Sequence, residues 1–74
     1  MRTVVDDRGR GWDVLVGKAS WGTLGLLFVP RDGGEARSVV VAEETPFEAE
    51  QALDRLDDAA LRARLRESRE GTGG

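Results

Sequence analysis

With 74 residues and no cysteine or histidine, the chain cannot form a disulfide, a thiolate zinc site or a histidine-based catalytic triad. The net charge of −3 is uneven: residues 1–42 carry six basic and five acidic groups, and residues 43–60 carry seven acids against Arg55. Residues 61–74 then carry four arginines against two glutamates. Overall acidity disfavours a protein organised around polyanions, and the longest apolar run, Leu24 to Val29, is far too short to cross a bilayer.

Tyr, Asn and Ile are missing too, and Arg outnumbers Lys ten to one, a bias typical of GC-rich bacterial coding sequence. The start, Met1-Arg2-Thr3-Val4-Val5-Asp6-Asp7, lacks the apolar stretch of a signal peptide. The expectation is a cytoplasmic protein with one small domain over residues 1–70 and a Gly-rich tail over 71–74.

Four strands are predicted first. Arg2 to Asp6 leads into the turn Asp7-Arg8-Gly9, where Gly9 can adopt the left-handed conformation of a bulged hairpin. Gly11 to Ala19 follows, with Trp12, Val14 and Val16 alternating against Asp13, Leu15 and Gly17. After a turn at Ser20-Trp21-Gly22 comes Leu24 to Val29, closed by Pro30, which has no N–H for a ladder. Arg31-Asp32-Gly33-Gly34 signals a hairpin, because Asp-Gly suits positive φ. The fourth strand spans Ala36 to Glu43, and short connections favour an antiparallel meander.

Thr45-Pro46-Phe47-Glu48 then marks a helix start, with Thr45 as cap, Pro46 at the first helical position and Glu48 completing a capping box. The helix carries Phe47, Ala49, Ala52, Leu53 and Leu56. Asp57-Asp58 either continues it or caps a second helix from Asp58 to about Arg69. The fresh run Ala59-Ala60-Leu61 favours the break. Glu70 onward reads as a frayed tail. The fold class is therefore α+β: a four-stranded antiparallel meander with one or two C-terminal helices packed on one face.

Leu24 to Val29 is apolar on both sides of its strand. With Asp32-Gly33 at the turn, Phe28, Leu26 and Leu24 face Arg37, Val39 and Val41 on one side. Leu27, Val29 and Val40 fall on the other side, grouped with Trp12, Val14 and Val16 if the second strand pairs accordingly. A one-residue slip would exchange the faces of a whole strand. Helical cover amounts to Phe47, Leu53, Leu56, Leu61 and Leu65, enough for one face. The candidate interface is Trp12, Val14, Val16, Trp21, Leu27, Val29 and Val40, unless the sheet curls into a half-barrel and buries both sides. The expected function is a non-enzymatic protein–protein interaction module, most simply an isologous homodimer.

The alternative is a nucleic-acid accessory protein using Arg62, Arg66 and Arg69, which line one helical face at i, i+4, i+7 spacing. Asp58 and Glu70 stand four residues from Arg62 and Arg66, so a solvated, salt-bridged face explains the stripe more simply. Four antiparallel strands followed by a helix is also the order of small dimeric single-strand-binding coactivators, an analogy of architecture without a shared motif. Gly17-Lys18-Ala19-Ser20-Trp21-Gly22 fails as a P-loop, because positions 12 and 19 are Trp and Ala. It fails as a nucleophile elbow because position 18 is Lys. The pairs Asp6-Asp7, Glu43-Glu44 and Asp57-Asp58 point apart on strand or helix and suit turns and caps. Gly73-Gly74 matches the tails of ubiquitin-like proteins, but there a strand precedes the tail. No catalysis, cofactor, metal or membrane partner is expected.

Overall fold

A computed structural model describes residues 2–18 and 23–70. Four strands, β1 (Arg2–Val5), β2 (Gly11–Lys18), β3 (Leu24–Pro30) and β4 (Arg37–Val40), form an open antiparallel meander in chain order. Two helices follow, α1 (Pro46–Arg55) and α2 (Asp58–Glu67), giving the α+β arrangement expected from the sequence. A two-residue strand, β5 (Arg69–Glu70), then pairs antiparallel with β4.

Turn chemistry sets the hairpins. The Asp6 carbonyl accepts the Gly9 N–H at 3.1 Å, and Asp6 donates its own N–H to Arg10 O at 2.9 Å. Gly9 closes this three-residue loop at φ +84°, a left-handed conformation that a Cβ would penalise. Between β3 and β4, Gly33 and Gly34 both have positive φ, and the ladder pairs Leu26 with Val39 and Phe28 with Arg37. That is the register expected from the Asp-Gly turn. The fourth strand is shorter than predicted, although Val41 still donates to Leu24 O beyond its end.

The helix boundaries are capped by local side chains. Thr45 accepts the Glu48 N–H at 3.2 Å, its hydroxyl donates to Glu48 Oε1 at 3.0 Å, and Pro46 opens the helix. Asp57 accepts the Ala60 N–H at 2.8 Å, so the break between helices falls where Asp57-Asp58 placed it. The far end of α2 differs from expectation. Ser68 turns extended at φ −70° and ψ 159°, ending the helix two residues early and sending Arg69 and Glu70 into the sheet. The ladder to Arg37 and Ser38 of β4, some thirty residues upstream, captures these two residues, a long-range pairing that no local signal announces.

Both helices cover one face. Val4, Trp12, Val14, Leu26 and Phe28 from the sheet form a single core with Leu53, Leu61 and Leu65, and Val16, Val39, Val41 and Leu56 pack at its margin. Two expectations are corrected here. Trp12, Val14 and Val16 lie on this covered face, not with Leu27, Val29 and Val40, because β2 pairs Trp12 with Pro30, Val14 with Phe28 and Val16 with Leu26. Antiparallel partners share a face, so the connection length between Lys18 and Leu24 sets the parity for the whole strand. Phe47 is 70 % exposed rather than part of the cover. It lies two residues, about 200°, around the helix from buried Ala49.

Candidate functional site

The other sheet face carries Val5 from β1, Leu15 from β2, Leu27 and Val29 from β3, and Val40 from β4. Strand alternation from the observed registers requires this. Val40 is 58 % exposed, and Val5 and Val29 are also open to solvent. Leu15 pairs directly with Leu27, and both are half-buried. Leu27 leans across Gly17: its Cδ1 lies 2.6 Å from where a Cβ on Gly17 would stand. The missing side chain at Gly17 therefore lets Leu27 lie flat, while the same registers put Thr3, Asp13 and Ser38 on this face, Asp13 opposite Val29 and Ser38 opposite Leu27. Asp13 and Arg31 form its charged margin, 3.8 Å apart, with the Arg31 stem laid over Gly11. Among the described residues no helix covers this face. Trp21 lies outside the described residues.

On the helix side, at the sheet end where the β1–β2 hairpin turns, an open cleft of about 480 Å³ runs between the hairpin and α2. Five arginines line it: Arg8 and Arg10 from the hairpin, Arg37 from β4, and Arg62 and Arg66 from α2. Asp6 and Asp7 also face it. The expected helical stripe is thus reorganised. Arg62 reaches the Val5 carbonyl at 3.4 Å and Arg66 pairs with Asp7 at 3.1 Å, while Arg69 has left the helix for β5. Asp58, one expected partner of that stripe, contacts Arg2 instead. Arg8, Arg10 and Arg37 come from segments with no shared periodicity with α2, so sequence spacing held no sign of their convergence.

Asp6 organises the cleft wall. Its Oδ1 accepts the N–H groups of Arg8 (2.9 Å) and Arg10 (2.8 Å), and its Oδ2 accepts the Trp12 indole N–H at 3.1 Å. Arg10 stacks 4.8 Å above the Trp12 ring and bonds Asp32 (2.9 Å) and the Gly33 carbonyl (2.7 Å). The Trp12 hydrogen bond, then that from the Arg10 backbone, hold the Asp6 carboxyl below its ordinary value of 3.8. A carboxylate with a lowered folded-state pKa stabilises the fold fully above its unfolded value. That contribution is lost as pH falls through the folded value. Thermal melts of the wild type and Asp6→Asn are therefore expected to differ most above about pH 4 and to converge at lower pH. A gap independent of pH would contradict the ionised role of Asp6.

Among the described residues, no group of three or more Asp, Glu, His or Cys is placed to hold a metal ion, and no helix is long and apolar enough to cross a membrane. No protein-family model, curated protein or solved structure matches this chain.

Proposed function

We propose that this chain is a non-enzymatic interaction module that self-associates through the uncovered sheet face. The observation that carries the reading is the one-sided cover: both helices pack on the Trp12–Phe28 side, leaving Leu15, Leu27, Val29 and Val40 facing outward. Burying such side chains is worth roughly 1.5–3 kcal/mol each, before entropy and polar desolvation are counted. A second copy suits the face because its margin holds both signs of charge. Asp13 and Arg31 give that margin one charge of each sign, the composition a self-complementary contact needs.

Sedimentation equilibrium across micromolar concentrations tests this reading. The wild type is expected to dimerise. The double variant Val29→Asp/Val40→Asp is expected to weaken dimerisation by about 100-fold or more while keeping the wild-type circular dichroism spectrum. A two-fold contact buries each new carboxylate twice, so about 3 kcal/mol is a low figure for the loss. A wild type that stays monomeric at about 100 μM, a concentration that populates any dimer of ordinary affinity, would overturn the proposal.

A further inference from the structure

The cleft at the β1–β2 end has a different character from the sheet face. Half of the ten arginines of an acidic chain converge there from three separate parts of the fold. We infer that this cleft binds a phosphate-bearing anion of diphosphate size or larger, gripped by Arg8, Arg62 and Arg66 against a wall formed by Arg10 and Trp12.

Asp6 and Asp7 offset two of the five arginine charges and leave the lining at a net +3. Asp6 spends its carboxylate on three N–H donors of its own hairpin, and Asp7 opposes the arginines from the surface. The Arg66–Asp7 pair is exposed on both sides, so it contributes little and yields readily to a stronger anion. Arg8 makes no ion pair among the described residues, and Arg62 has only a long bond to a backbone carbonyl. These guanidinium groups are available, and their planar forks match phosphate oxygens in bidentate geometry. Arg10 is held by the Trp12 ring, Asp32 and the Gly33 carbonyl, so the wall is pre-formed. A volume near 480 Å³ falls within the range of small-molecule sites.

The same geometry says which part of a ligand is read. Trp12 is 4 % exposed and its ring is covered by Arg10, so it offers no platform for stacking a base. Recognition rests on phosphate alone and is indifferent to base identity. The phosphate source is either a small polyphosphate or a nucleic-acid backbone, and competition separates the two.

Calorimetric titration with inorganic pyrophosphate at about 50 mM salt, where screening leaves phosphate contacts strong, provides the test. Binding at millimolar Kd or tighter is expected. Arg8→Gln/Arg62→Gln is expected to weaken it at least tenfold, while Arg64→Gln, which lines a separate recess beside α1, leaves it unchanged. Fluorescently labelled oligonucleotides displaced by pyrophosphate would identify the nucleic-acid backbone as the source. Absence of oligonucleotide binding would identify a small polyphosphate. No heat with pyrophosphate up to about 10 mM, well beyond any specific diphosphate site, overturns the inference. So does binding that survives the double substitution. The cleft and the uncovered sheet face lie on opposite sides, so pyrophosphate binding is expected to persist in Val29→Asp/Val40→Asp, and each proposal can fail without the other.

Discussion

Truncating Phe28 to alanine is expected to cost about 3–5 kcal/mol, whereas the same truncation at Phe47 is expected to cost less than about 0.5 kcal/mol. Phe28 has no exposed surface, sits in mid-sheet between Val14 and Arg37, and shares its core with Leu26, Leu53, Leu61 and Leu65. Neighbours fixed in a hydrogen-bonded ladder cannot collapse into the vacated volume, so the cavity cost adds to the lost transfer energy. A domain of this length has only about 4–11 kcal/mol of total stability. The loss at Phe28 therefore removes a large part of it and lowers the melting temperature by roughly 15–30 °C. Phe47 is identical in chemistry but projects from the far side of α1. Thermal melts and urea titrations of the two variants provide the comparison, and equal losses would contradict the assigned core. Phe28→Leu, which keeps most of the volume, is expected to cost less than about 1.5 kcal/mol.

Removing the Arg2 side chain is expected to destabilise the fold by about 1.5–3 kcal/mol, the range for hydrogen bonds from a charged donor. Arg2 Nη1 donates to the carbonyls of Leu53 (2.9 Å) and Leu56 (2.7 Å) at the end of α1. From the backbone, Leu53 O takes only the N–H of the cap residue Leu56, Leu56 O lies beyond the helical ladder, and both sit at the negative end of the helix dipole, so a cationic donor there is favourable. The bond ties the first strand to the junction between helices, more than fifty residues away in sequence. Arg2 also reaches Asp58 at 3.4 Å, but Asp58 is largely exposed and this pair adds little. Urea denaturation of Arg2→Ala and Arg2→Lys tests the assignment. Lysine, a single point donor, is expected to recover only part of the loss. Wild-type stability in Arg2→Ala would show that the brace is dispensable.

Features spanning a few residues were legible because their chemistry is local. Thr45-Pro46 and Asp57 announce helix starts, since a side-chain oxygen three residues upstream is all that an orphan N–H requires. Asp32-Gly33 specifies the β3–β4 register, and Gly9 the first hairpin, through backbone conformations open mainly to glycine. The apolar surplus of Leu24 to Val29 was legible as a problem of cover, and the one-sided packing of both helices answers it.

The features that differ from expectation share a different cause. Trp12, Val14 and Val16 lie on the covered face, against the expectation from sequence, because parity across a strand connection depends on its length, not on the residues alternating along the strand. Arg69 looked helical because its spacing from Arg62 and Arg66 is helical, but pairing of β5 with β4 outweighed that local preference. The arginine cleft was invisible for the same reason: Arg8, Arg10, Arg37, Arg62 and Arg66 become neighbours only when α2 docks beside the first hairpin. By itself, then, the sequence determined the elements, their caps, the order of the meander and the excess of apolar side chains. Only the tertiary structure decided which side chains share a face and which charges converge, because those depend on contacts between segments whose separation in sequence carries no periodic signal.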